Sequence, residues 1–286
     1  MKKVLLATSI LAMSTGFAAA EVALSGSARR GIIYDDVSDD MSFSARVSIV
    51  FTASGETDGG LAFGASVRND QSGVGGVANG DSTVFISGAF GKLTMGDVSG
   101  AADALVGQTS GIGYGPNDGL HEIGFIGTSK TAAYYEYSAG ALTFGLGFGQ
   151  PSTGGEMNVG VKYAAGNYSV AIGYEESDTD DLLSLGASAT FGAATVKARV
   201  SDGDAGTPYS LSLDYAMGAT TITLVHTDFD DIDGTTHTGI GAAYDLGGGA
   251  TLAGGIMSRS SDAVTDPLLG TLGDATFADV GIKFSF

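Results

Sequence analysis

The 286-residue chain reads as an all-β protein, a transmembrane antiparallel up-and-down β-barrel. Three observations predict it. Apolar and polar residues alternate with a period of two along most of the sequence, short glycine-bearing connections alternate with longer acidic ones, and aromatic residues gather beside the short connections.

The alternation defines the strands. In "MSFSARVSIVFTA", Met41, Phe43, Ala45, Val47, Ile49, Phe51 and Ala53 share one face, opposite Ser42, Ser44, Arg46, Ser48, Val50 and Thr52. "ALTFGLGFG", "YSVAIGYE" and "PYSLSLDY" repeat the pattern with Gly, Ser and Thr on the second face. A period of two is the signature of a strand with unlike faces. Candidate strands, about 16 by this criterion, start near Val22, Met41, Leu61, Ser82, Lys92, Thr131, Gly140, Glu156, Asn167, Leu182, Ala194, Pro208, Ala219, Thr236, Gly249 and Thr276. Only "DVSGAADALVG", between Asp97 and Gly107, has a helical rhythm.

The connections order those strands. "FGKL", "SAGA", "AAGN", "FGAA", "AMGA" and "DLGGG" are tight and carry the glycine that hairpin turns need. "DDVSDD", "EESDTDD", "SDGDAGT", "TDFDDIDGTT" and "SRSSDAVTD" are longer and acidic. Strict alternation gives a meander with two unlike ends, whereas a Greek-key sandwich would interrupt it. Phe90, Tyr137, Tyr163, Tyr168, Phe191, Tyr215 and Tyr244 lie near the short turns, mostly on the apolar parity. Such a girdle marks the lipid–water boundary of a membrane barrel. The small hydrophilic faces pack poorly against one another, so they are expected to line water.

Composition narrows the function. A net charge of −19 excludes nucleic acid as a partner, because phosphate binding needs clustered cations. The 43% apolar content excludes an acidic disordered chain. With no cysteine there are no disulfides and no thiolate metal sites. Residues 1–20 have two lysines, an apolar run and a final Ala18-Ala19-Ala20, the pattern of a secretory signal peptide. Its removal would leave residues 21–286 as the barrel domain. No later apolar run reaches the roughly 20 residues of a membrane helix.

By parity Arg29, Arg46, Arg68, Lys162, Lys197 and Arg199 face the polar side. The first three fall on neighbouring strands and make a positive patch on one stretch of wall. Arg30 falls on the apolar parity, which suits a rim, a subunit contact or a register-shifting bulge. The longest connection, residues 97–130, carries Asp97, Asp103, Asp118, His121 and Glu122. A loop of that length is either functional or external and flexible. Folded inward, its acids would oppose the arginines across a narrow aqueous gap.

A resemblance adds to this. "EVALSGSAR" at Glu21, "VFISGAFGKLTMGD" (Val84–Asp97), "YSAGA" (Tyr137–Ala141), "AAYDLGGGATLAGGI" (Ala242–Ile256) and "ADVGIKFSF" at the end together resemble the general bacterial porins, in their alphaproteobacterial, Rhodobacter-type branch. The resemblance implies a sixteen-stranded barrel in the outer membrane, a homotrimer, and a third external loop folded inward as a constriction. It implies passive diffusion of ions and small hydrophilic solutes, with outer-membrane lipid, lipopolysaccharide and the assembly machinery as partners and no cofactor. Arg29, Arg46 and Arg68 carry over as wall cations, Asp97 and Asp103 as the start of the loop, and Phe286 as the assembly signal. The chain departs from the family in having Ser44 where a further arginine is common, and in a loop less acidic past Asp103.

Other readings compete. Asp228, Asp230, Asp231 and Asp233 suggest weak binding of a divalent cation such as calcium; a solvated acidic face is the plainer account. Setting Gly234 as the turn glycine of an EF-hand puts Phe229 and Ile240 at ligand positions, so that motif fails. An outer-membrane barrel hydrolase would need a Ser/His/acid set at one end of adjacent strands, and His226 and His237 flank a loop rich in aspartate. A non-conducting barrel acting as anchor or adhesin would need a packed interior.

Overall fold

The computed structural model describes residues 21–72, 76–115, 117–127, 132–150, 155–230, 234–262, 264–266 and 270–286. The expected signal peptide, residues 1–20, and the start expected at Thr131 lie outside them. The strands are β1 (Glu21–Asp35), β2 (Asp40–Glu56), β3 (Ala62–Ser72), β4 (Gly76–Gly88), β5 (Gly91–Gly96), β6 (Ala132–Ala139), β7 (Leu142–Phe148), β8 (Met157–Ala165) and β9 (Tyr168–Glu176). They continue as β10 (Asp181–Phe191), β11 (Ala194–Gly203), β12 (Tyr209–Met217), β13 (Thr220–Asp228), β14 (Thr236–Gly247), β15 (Ala250–Ser260), β16 (Val264–Asp266), β17 (Gly270–Leu272) and β18 (Ala275–Ser285). Strands β1–β15 and β18 form one closed ring in chain order, and β16–β17 is a separate small hairpin. The ring closes antiparallel between β1 and β18, with Ser27 opposite Ser285 and Asp35 opposite Phe277. Two backbone bonds between Gly26 and Phe286 extend that seam.

Closure follows from the surroundings. An open edge in hydrocarbon leaves amides that nothing can hydrate, so only a ring satisfies a spanning sheet. The turns are made by local chemistry. Gly140, Gly166, Gly192 and Gly218 each take the first central position of a two-residue turn at φ 63, 60, 62 and 64°. Their second residues, Ala141, Asn167, Ala193 and Ala219, keep negative φ, as a type II′ turn requires. These turns define one end of the barrel, the turn end. The acidic connections define the opposite, loop end.

Burial is inverted relative to a water-soluble protein. Phe43 (86% exposed), Leu211, Leu224, Ile240 and Val280 face outward, while Ser184, Ser201, Ser210 and Thr227 are buried inside. All seven turn-end aromatics are exposed, and the Tyr163 and Tyr168 rings lie 6.0 Å apart. The interior also holds an apolar cluster that the alternation does not announce. Val225, Met257, Ala275 and Phe277 point inward and pack on Ile112 and Leu120 of the long connection. Inward parity is therefore not uniformly polar; it is apolar where something covers it.

One boundary and one register shift differ from the sequence reading. Strand β4 begins at Gly76 rather than near Ser82, because its ladder with β3 continues past a register shift between Val67 and Asn69. The bulge lies on β4, at Gly80 and Asp81 opposite Arg68, and not at Arg30. The register on both sides of β1 runs unbroken through Arg30, which stays exposed on the outer face opposite Ala45 and Ile282.

Leu213, at the middle of β12 and facing outward, tests the inversion. Leu213→Arg is expected to cost about 2–4 kcal/mol of folding stability in phospholipid vesicles, whereas Thr94→Arg on the inner face of β5 costs less than about 1 kcal/mol. Urea titration of both variants in bilayers measures the difference.

Candidate functional site

The long connection between β5 and β6 occupies the inside of the ring. It leaves the wall at Asp97, whose amide donates to Ser82 O at 3.0 Å. It then forms helix α1 (Ala101–Val106), packed on β7–β10. The Ala101 amide donates to Asn158 Oδ1 on β8 at 2.5 Å. Farther on, Thr109 Oγ1 meets Ser210 Oγ at 2.6 Å and the Ser110 amide donates to Ser212 Oγ at 2.9 Å, both on β12. The Tyr114 amide donates to Asp279 Oδ1 on β18 at 3.1 Å.

A short 3₁₀ turn, Asp118–His121, reverses the path. The returning chain is tied to the same wall. Thr227 Oγ1 donates to His121 O at 2.8 Å, and His237 Nδ1 bonds Leu120 O. Arg199 donates to the carbonyls of Ile123 and Gly124 at 2.7 and 2.8 Å, with Phe125 3.6 Å from its guanidinium carbon. The Glu175 carboxylate accepts the Ile126 and Gly127 amides at 3.2 and 3.4 Å. Each tie satisfies a buried polar group that would otherwise be orphaned, at a cost of about 1–3 kcal/mol apiece.

Glycine makes room for this double layer. A side chain at Gly173 would put its Cβ 2.6 Å from Ala102 Cβ, and one at Gly160 would come 2.7 Å from Ala101 O. Gly186 lies under Val106, Gly241 under Ile112, and Gly281 and Gly31 under Tyr114. On the sequence these glycines read as part of an open, water-lined face. In the structure they are the floor on which the loop rests.

The covered wall runs from β7 through β18 to β1, leaving β2–β5 bare on the inside. There the arginines assemble. Arg29 and Arg46 are register partners on β1 and β2, and Arg68 follows on β3. The Arg46 Nε donates to both Asp70 oxygens at 2.9 and 3.0 Å. Arg68 Nε lies 3.5 Å from Asp70, and Arg68 also pairs with Asp81. The side chains of Arg46 and Arg68 remain 37% and 38% exposed inside the ring.

The loop residues divide between two places. Asp118 stands on the arginine side, lining a cavity of about 150 Å³ with Arg29, Arg46 and Lys283 without pairing directly with them. Asp103 and Glu122 stand near Arg199 on the covered wall. His121 is buried, with Nε2 3.2 Å from Thr109 O. Lys162 and Lys197 line a second cavity beside Arg199. Sequence reasoning missed Asp70, Asp81 and Lys283 as members of the patch. Asp70 and Lys283 were visible on the polar parity, whereas Asp81 is brought to Arg68 by the bulge.

Of the acidic cluster, Asp231 and Asp233 lie outside the described residues. Asp228 Oδ1 accepts the Asp230 amide at 2.9 Å, and Asp230 Oδ2 accepts the Thr207 amide at 2.7 Å, so both shape loops. Among the described residues no group of three or more metal-ligating side chains converges. His226 bonds Thr238 on the outer face and His237 faces inward, so the two do not share a site.

The geometry predicts that Gly173→Val unseats α1. Limited proteolysis within residues 97–127 is expected to accelerate roughly tenfold or more, because local opening controls cleavage, while the barrel keeps its folded gel mobility.

Comparison with known proteins agrees with this architecture. A family model described as Gram-negative porin matches residues 7–263. The chain is 46% identical over 132 residues to a porin of Rhodobacter capsulatus, a match that spans 43% of each protein and thus less than half the length of that curated relative. A porin structure refined at 1.8 Å is 35% identical, with a TM-score of 0.74 over 93% of this chain and 100% of that one. A triple mutant of Rhodopseudomonas blastica porin, 25% identical with the same coverage, gives a TM-score of 0.78. The chain belongs to the Gram-negative porin family and is a sixteen-stranded β-barrel of the bacterial outer membrane.

Proposed function

We propose that the barrel is a water-filled channel for passive diffusion of ions and small hydrophilic solutes, narrowed by the loop of residues 97–127. The observation that carries this is the placement of Arg46 and Arg68 inside the ring, each more than a third exposed. Charged groups hold such exposure inside a sheet only where water reaches them. The inner face of β2–β5 is the free side of the passage, and the seated loop is the other.

Selection follows from size and charge. A solute passes between the arginine patch and the loop, where Asp118 opposes Arg29 and Arg46. The transverse field orients dipolar solutes and favours small ions over apolar ones. Asp70 moderates this field, since it pairs with Arg46 and Arg68 on the same wall. No chemical step is involved.

We also propose that three copies assemble through the outer face of β1–β3. Arg30, Asn69 and Gln71 are exposed there among Ala45, Val47 and Ile49, a polar set poorly matched to lipid. The remaining outer face suits lipid and lipopolysaccharide. Recognition of Phe286 by the assembly machinery and weak cation binding at the acidic loops stay part of this proposal.

Single-channel recording of purified protein in planar bilayers tests the channel; a lack of conductance steps would falsify it. Under a salt gradient, Asp70→Asn is expected to raise anion preference roughly twofold or more, since it releases two arginines from a neutralising partner. Replacing Arg29, Arg46 and Arg68 together by Gln should move the reversal potential the other way. An unchanged potential in both variants would remove this patch from the passage.

A further inference from the structure

Three wall cations outside the arginine patch, Lys162, Lys197 and Arg199, form a separate group. On the turn-end side of α1, Lys162, Lys197 and Arg199 line a cavity of about 270 Å³ with Ser169, Ser188 and Gln108. The register explains the grouping. Ser169, Ser188 and Lys197 form one cross-strand row over β9–β11, and Ala171, Gly186 and Arg199 form the next row toward the loop end. Lys162 joins that second row from β8. Ala171 and Gly186, between the cations, supply the space.

The charge in this cavity is one-sided. The chain has 32 acidic residues against 13 basic ones, yet three of the basic residues line the cavity and no acidic one does. Arg199 is 2% exposed and has Glu175, Asp103 and Glu122 as electrostatic neighbours, so its own charge is answered. Its terminal nitrogens serve Ile123, Gly124 and Ser201, but its Nε–H is buried with no acceptor. Among the described residues, neither lysine has a hydrogen-bonding or ionic partner. The buried Arg199 Nε–H lacks an acceptor, as Gln108 Oε1 beside it lacks a donor; the two half-exposed ammonium groups without counterions make the net charge of the cavity one that an anion complements.

We propose that this cavity is a binding subsite for a small multivalent oxyanion of the phosphate type. Lys162 and Lys197 supply charge from two sides, Ser169 and Ser188 supply hydroxyl donors, and Arg199 supplies its free Nε–H. Separated donors around one volume suit a tetrahedral ion with several oxygens better than a halide, which offers a single centre. Access to the cavity rests on the channel reading; the donor set does not. The same phosphate chemistry is presented by the free ion and by a phosphate monoester on a small sugar.

The test uses full-length protein, wild type, Lys162→Gln/Lys197→Gln and Lys162→Arg/Lys197→Arg, each checked for folded gel mobility. Chloride current in planar bilayers is recorded as inorganic phosphate is added. Wild type is expected to lose chloride current along a saturating curve. The Gln variant should raise the half-blocking concentration roughly tenfold, the loss of a charge-assisted contact, and the Arg variant should keep it within about threefold. Non-saturating, additive currents in wild type, or an unchanged half-block in the Gln variant, would overturn the subsite. Block by a hexose phosphate at similar concentration identifies the monoester as a ligand; block by inorganic phosphate alone restricts the site to the free ion. Phosphorus NMR line broadening of inorganic phosphate by detergent-solubilised protein needs no conduction. Broadening without conductance refutes the channel and keeps the subsite, and conductance with neither block nor broadening refutes the subsite and keeps the channel.

Discussion

Hydrocarbon cannot hydrogen-bond, and the rest of the structure depends on that fact. Each of the sixteen barrel strands must find two neighbours, so the sheet has to close. Closure then fixes which face meets which medium. Every strand presents one parity to lipid and the other to the interior, and this produces exposed Phe, Leu and Val outside with buried Ser and Thr inside. The seam between β1 and β18 is the step that removes the last edge.

A ring of this many strands is too wide for its own side chains to fill. The chain resolves this with an asymmetric solution. One long connection covers the wall from β7 to β1 and leaves β2–β5 open. Where the loop lies, the wall is built from Gly, Ala and Ser and donates or accepts through Glu175, Arg199, Thr227 and Asp279. Where it does not lie, Arg46 and Arg68 extend into the interior. One polar parity thus serves two purposes: small residues seat the loop, and long charged ones, Lys162 and Lys197 beside α1 included, face the space left next to it.

Much of this was legible in the sequence. The period of two located all sixteen barrel strands, most of them to within one or two residues, because side-chain direction alternates strictly in a strand. The glycine turns announced the up-and-down order for the same local reason. The helical rhythm after Asp97 gave α1. What stayed hidden depends on contacts distant in sequence. Gly173 and Gly281 look alike whether they line water or support a loop, and only the path of residues 97–127 separates the two. The pairing of Arg68 with Asp81 needs a bulge on β4, where Gly80 and Asp81 together oppose Arg68, and the alternation read along β3 does not announce it. The β16–β17 hairpin lies inside an acidic stretch whose composition reads simply as loop.

The ties that hold the loop are largely made to its main chain. Glu175 takes the amides of Ile126 and Gly127, Arg199 takes the carbonyls of Ile123 and Gly124, and Asp279 takes the amide of Tyr114. Main-chain groups are the same in every residue except proline. The anchoring is thus indifferent to most loop side chains that project into the passage. The segment behaves as an interchangeable cassette: its gap-facing residues are free to vary in charge and bulk while its seat stays constant. Lineages, or engineers, can retune what passes without rebuilding the wall.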